Sequence, residues 1–379
     1  MKKLLLCFIM LAGGILPAAE ITPEAVNKAL GFPLLAGKET WSKDALQKRM
    51  GVHFIGNARR FSARYTRSVA GSTPVEVEIH TDDSNKRIKL ISFTFANQGD
   101  TAGNYKSAIT RCRRAITSEL NRQLGQKSKG SISDGAFKIK GDMWQNKYMK
   151  CILEVDKGDF ILFHILPPYG MKEAADPRKK DFSKNVKTND FGDVYIPNVP
   201  MVDQGPKGYC VPATMARIFL YYGIHADMHH LAKIGNTDAD DGTYTNQMIK
   251  DVKTLRRKAN LKMKEFSTVS VKNVARHIDD GHPVMWMMYS NNAVKSAYTF
   301  SRTNRKKAAS PAEWKRSLKK LSTSSSSDGP HALLIIGYNE KTDEIAVTNS
   351  WGAAYIEPQW IPMKVARKAS QNHLVVFAP

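Results

Sequence analysis

Cysteine is scarce in this sequence, and acidic residues are outnumbered. Four Cys occur in 379 residues, and 35 Asp and Glu stand against 57 Lys and Arg, for a formal charge of +22. No long basic low-complexity run carries the excess; it is spread along the chain. With no aromatic-interleaved basic motif, nucleic acid gains no support as a partner. Acidic protein substrates, anionic envelope polymers or host glycans suit the charge better. A second long apolar stretch is also missing, so nothing beyond the N-terminus could cross a bilayer, which takes ~20 apolar residues. No internal repeat is evident. What remains is an apolar content of 42% and a charged content of 24%, the balance of a soluble globular protein.

The first residues read MKKLLLCFIMLAGGILPAAE. Two lysines, an apolar run from Leu4 to Leu16 and then small residues have the layout of a secretory signal, expected to occupy residues 1–19. Export to the periplasm or the exterior follows. Cys7 would leave with that segment, so Cys112, Cys151 and Cys210 remain. An odd number in an oxidising compartment suggests a free thiol. Cys112 and Cys151 can pair and leave Cys210 alone; three unpaired thiols is the alternative.

The first half reads as a small α+β domain, residues 20–169. Thr22-Pro23 opens a helix that Gly31 can end, and Ser42 to Met50 is a second helix closed by glycine. "PVEVEIHT" (74–81) and "RIKLISFTFA" (87–96) alternate like strands around a "DDSNK" turn. Residues 105–125 carry apolar positions at helical spacing. "YMKCILEV" and "FILFHILP" form a further hairpin. Residues 170–193, polar and lysine-rich without periodicity, are expected as a linker to a second domain, 194–379.

That second domain holds the chemistry-bearing residues. In "DQGPKGYCVPATMARIFLYYG", Cys210 precedes Val-Pro and a helical pattern, which places it at a helix N-terminus, where unpaired N–H groups favour a thiolate. Gln204 lies six residues earlier on a Gly-Pro-Lys-Gly turn, able to bring an amide N–H beside the backbone N–H of Cys210 as a two-donor oxyanion hole. Of the histidines downstream, His331 begins the strand "HALLIIGY", and a turn at "NEKTDE" pairs it with "IAVTNSWG". His331 and Asn349 then fall at the same end of a hairpin, where Asn349 can orient the imidazole and Trp351 can shield their hydrogen bond.

The order Cys, His, Asn, a glutamine six residues ahead of the cysteine, and the segment Asn-Ser-Trp-Gly resemble the papain superfamily of cysteine peptidases. The cysteine segment is closer to bacterial peptidases that process bacteriocin leaders. The resemblance, over about 195–365, implies a two-lobed domain with a helical lobe and an antiparallel, β-barrel-like lobe. It implies Cys210 as nucleophile, His331 as acid/base, Asn349 as orienting residue and Gln204 as oxyanion donor. The substrate it implies is a protein or peptide, cleaved with no cofactor and no metal. The papain-type Cys-Gly-Ser-Cys-Trp signature is absent, so its disulfide is not expected. The leader-processing relatives usually carry aspartate as the third residue.

Other features carry less. "NTDADDGTYTNQ" (236–247) clusters acids, but its glycine is out of register for a calcium loop and Gln247 replaces the closing glutamate. Adjacent His229 and His230 point in different directions on a helix. Residues 291–330 insert a short basic helix with a Ser310/Glu313 capping box just before His331, a candidate lid or a solvated insertion. Two other functions suit the same residues: a cell-wall peptide amidase or transpeptidase, and a catalytically silent binding protein.

Overall fold

The computed structural model describes residues 21–101, 103–133, 136–169, 176–321 and 327–379. The expected signal segment lies outside the described residues. Eleven helices are described: α1 (Pro23–Leu30), α2 (Lys43–Met50), α3 (Tyr105–Leu124), α4 (Cys210–Tyr221), α5 (Met228–Ile234), α6 (Thr245–Asp251), α7 (Lys253–Lys258), α8 (Val271–Ile278), α9 (Asn292–Asn304), α10 (Pro311–Leu318) and α11 (Met363–Ala369). The protein is a mixed α+β structure built on two large antiparallel sheets.

The first sheet contains β1 (Ile55–Asn57), β2 (Arg60–Arg64), β3 (Glu76–Thr81), β4 (Ile88–Asn97), β5 (Ser128–Ser133), β6 (Lys138–Gln145), β7 (Lys150–Asp156) and β8 (Phe160–Leu166). Its order is β1-β2-β3-β4-β8-β7-β6-β5. Helices α1 and α2 begin where their side-chain caps dictate: Thr22 Oγ1 accepts from Ala25 N at 3.2 Å, and Ser42 Oγ accepts from Ala45 N at 3.5 Å. Helix α3 turns Ile109, Ile116, Leu120 and Leu124 inward against one face of this sheet. Cys112 and Cys151 are both free thiols: Cys112 accepts a hydrogen bond from Ser72 Oγ at 3.2 Å, while Cys151 is buried within β7.

The second sheet comprises β9 (Lys187–Thr188), β10 (Val194–Tyr195), β11 (Lys262–Phe266), β12 (Val284–Asn291), β13 (Ser327–Asn339), β14 (Glu344–Thr348), β15 (Gln359–Pro362) and β16 (Ser370–Ala378). Its path runs β11-β16-β12-β13-β10-β9, and β14 and β15 branch from β13. Helix α4 is buried along almost its whole length against this sheet, with Phe219 packed near Phe377 and Phe137. The insertion packs into the same body: Trp314 of α10 is buried and donates from Nε1 to Glu344 Oε2 at 2.9 Å. Ser310 Oγ accepts from Glu313 N as expected, but the Glu313 carboxylate reaches back to Ala309 N instead of Ser310 N. In the segment expected as a linker, Phe182 is buried against Tyr221 and Tyr222, and β9 pairs with β10.

The two sheets are joined by directional bonds to backbone. Asn57 Nδ2 donates to Val199 O and its Oδ1 accepts from Met201 N, both at 2.9 Å. Arg59 donates to the carbonyls of Leu220 and Tyr221, which close the C-terminus of α4. Arg60, almost fully buried, donates to Met201 O at 2.8 Å.

Candidate active site

Helix α4 starts at Cys210 itself. One turn further along the same face, Thr214 Oγ1 donates to Ala332 O at 3.1 Å, which ties the start of the helix to β13 immediately after His331. The N–H groups of Ala332, Val211 and Cys210 point at the cysteine sulfur. Residues 210 and 331 are therefore neighbours across the contact between α4 and β13.

The imidazole is held on its other side. Register pairs Leu334 with Thr348, so His331 and Asn349 emerge at one end of the hairpin, and His331 Nε2 lies 2.7 Å from Asn349 Oδ1. Ser350 N also donates to that Oδ1, at 2.8 Å. A backbone N–H can only donate, so the atom facing His331 is the amide oxygen, and Nε2 must carry the proton. In the neutral ring Nδ1 is then the bare lone pair. Arg217 of α4, fully buried, bonds the Thr348 carbonyl and hydroxyl just ahead of Asn349. Helix and strand are thereby fixed relative to each other from below. Trp351 stacks on His331 with ring centroids 4.5 Å apart, and Tyr355 meets Trp351 edge-on at 5.6 Å. Asn349 is wholly buried, and its Nδ2 has no partner among the described residues.

Gln204 is similarly fixed. Its Oε1 accepts from Ser350 Oγ at 2.7 Å and its Nε2 donates to Lys207 O at 2.9 Å. One of the two Nε2 hydrogens is spent on Lys207, leaving one for another acceptor. The Gln204 backbone N–H bonds Ser350 O at 2.9 Å, so the turn that carries Gln204 and the segment that carries Asn349 form one unit.

The charge state differs from the sequence expectation. Burial pushes the Cys210 thiol up, and the three N–H groups at the sulfur only partly offset it. Burial also takes His331 down to about 4, against the opposing pull of its bond to Asn349. Taken singly, both shifts favour the neutral forms, thiol and imidazole. Position at a helix N-terminus was legible; the desolvation that outweighs it was not. Replacing the neutral amide by a carboxylate should reverse the balance on the histidine. In Asn349→Asp the His331 pKa is expected to rise from about 4 by ~1–3 units, followed by NMR titration of the ring. A ring that titrates unchanged would show that residue 349 does not face it.

Of the residues singled out by sequence, Gln204, Asn349 and His331 are joined through Ser350 in one network, and Cys210 lies beside Ala332, next to His331. Sequence reasoning missed Ser350, whose hydroxyl and backbone link Gln204 to Asn349, although it lies inside the Asn-Ser-Trp-Gly segment. It also missed Lys207, whose carbonyl holds the Gln204 amide. Among the described residues there is no helix long and apolar enough to cross a membrane.

The model of the Peptidase_C39 like family matches residues 196–369, the stretch that contains this site. Over that stretch the chain is similar to the C39-like cysteine peptidases. Similar solved structures include a protein described as a C39-like peptidase from Bacillus anthracis, 14% identical with a TM-score of 0.34, covering 49% of this chain and 98% of that one. The peptidase domain of Streptococcus ComA, a bifunctional ABC transporter involved in a quorum-sensing pathway, is 11% identical with a TM-score of 0.31, covering 47% and 97%. Xylellain, a cysteine protease from Xylella fastidiosa, is 14% identical with a TM-score of 0.32, covering 52% and 88%. None of the curated proteins matches the chain.

Proposed function

We propose that the protein is an exported peptidase, periplasmic or secreted, that hydrolyses peptide bonds with Cys210 as nucleophile, His331 as acid/base, Asn349 as orienting residue and Gln204 as oxyanion donor. Its catalytic unit is a papain-like domain over residues 194–379, with α4 in the helical lobe and β12–β16 in the other. A smaller α+β domain, 20–169, precedes it. The observation that carries the reading is the tautomer: Asn349 Oδ1 accepts from the His331 Nε2–H, which leaves the Nδ1 lone pair free to serve the thiol.

The steps follow from the neutral resting pair. As the substrate carbonyl arrives, the Cys210 proton passes to His331 Nδ1 while sulfur attacks the carbonyl carbon. The oxyanion is met by the free Nε2 hydrogen of Gln204 and the backbone N–H of Cys210. The imidazolium gives its proton to the leaving amine, and the C–N bond breaks to leave a thioester. Water, deprotonated by the same nitrogen, then cleaves the thioester and restores the thiol.

Casein or a fluorogenic peptide, assayed beside purified peptidoglycan, tests the proposal. Turnover of the peptide substrate is expected, with an epoxide thiol reagent labelling Cys210. Gln204→Ala should keep the fold and lose about 10²–10³ in kcat, the usual cost of one oxyanion donor. Cleavage confined to peptidoglycan would reassign the same thiol chemistry to a cell-wall amidase. An unlabelled, inactive protein would leave only the binding reading.

A further inference from the structure

The Gln204 turn is held from the first sheet as well as from its own half. Lys207, whose carbonyl accepts from Gln204 Nε2, also accepts there from Tyr209 N at 2.8 Å, so one oxygen joins the candidate oxyanion donor to the start of α4. The Lys207 side chain is 1% exposed. Its ammonium lies over the Tyr209 ring, 5.1 Å from the centroid, and pairs with Asp100, which follows the end of β4. A buried ammonium needs such a partner.

Asp100 is itself built into place. Asn97 Nδ2 donates to Asp100 Oδ2 at 2.9 Å and Asn97 Oδ1 accepts from Asp100 N at 3.2 Å. Gly99, at φ +93°, lets the strand end come in close: a Cβ there would lie 2.8 Å from the Lys207 Cβ. Gly205, at φ +68°, leaves room for the carboxylate on the other side, since its Cβ would sit 3.0 Å from Asp100 Oδ1. Both turns are shaped around this one contact.

We infer that Asp100 is a positioning residue for catalysis: through its ion pair with Lys207 it fixes the carbonyl that aims the Gln204 amide. The first sheet then works as part of the catalytic unit and is not a segment shed on activation. The inference rests on the oxyanion role proposed for Gln204, and kinetics of the full chain separate the two.

On one peptide substrate, Asp100→Asn is expected to lower kcat about 10- to 100-fold with KM within about twofold, the scale of a misaimed catalytic donor. Asp100→Glu, which keeps the charge, should recover much of the loss. In a Gln204→Ala background, Asp100→Asn should change kcat less than about twofold, because the group it aims is gone. An equal fold-loss in both backgrounds, or full activity in Asp100→Asn, overturns the inference while leaving Gln204 in its role. A silent Gln204→Ala overturns the oxyanion reading and this inference with it. Should Asp100→Asn fail to fold, the double variant Asp100→Asn, Lys207→Met removes both charges. It is expected to show the same loss of kcat, and wild-type turnover there overturns the inference.

Discussion

Cys210→Ala should abolish peptide hydrolysis, with kcat falling on the order of 10⁶-fold, the loss typical when the nucleophile of a cooperating set is removed. Fold and stability should survive. Cys210 keeps part of its surface open and stands at the first position of α4. Alanine is also the better helix former, so the change in stability should stay within about 1 kcal/mol. Gln204, Ser350 and Asn349 bond one another without the sulfur, so the emptied site keeps its shape and should still bind substrate. Peptide binding measured by fluorescence, beside turnover, checks this. Turnover at even a hundredth of the wild-type rate in the alanine protein would mean that another group attacks the carbonyl.

The site was legible because its parts announce themselves locally. "HALLIIGY" and "IAVTNSWG" are apolar runs around a polar turn, and their pairing brings His331 to Asn349 without any long-range information. Strands 76–81, 88–97 and 160–166 lie close to the runs read from sequence as strands. Strands β5 and β6 gave no such signal. In β5 only Ile132 is buried, and in β6 one inward position is Asp142, a charge matched by Lys127 and Lys129 where an apolar residue would have marked the pattern. Strands β1 and β2 are short, and β2 turns Arg60 into the interior. The protonation state of the thiol depends on what covers it. Asp100 and Lys207 stand 107 positions apart, so nothing near either residue points to the other.

Arg60→Ala should be the most destabilising substitution at the contact between the sheets. Arg60 is 2% exposed, pairs with Glu78, lies 3.8 Å from Glu76 and donates to Met201 O across the contact. The two carboxyls divide their roles. Burial and the neighbouring Glu78 charge push Glu76 up. Burial works against the Glu78 carboxylate too, but Arg60 and then His80 overcome it and hold the group well below its usual range. Without the guanidinium, Glu78 is a buried carboxylate left with His80 alone, and the Met201 carbonyl loses its donor. Breaking a buried pair in this way costs about 3–5 kcal/mol. Because the folded Glu78 pKa lies below its unfolded value of ~4.3, the pair's contribution is present above that pH and fades as pH falls through the folded value. In the variant Glu78 takes up a proton more readily than in the unfolded chain, so acid relieves it. Urea unfolding at pH 7 and at pH 4 should therefore show a wide gap between wild type and variant that narrows on acidification. An unchanged midpoint at pH 7 would mean that Arg60 spends its charge in solvent, and the contact between the sheets would then need another anchor.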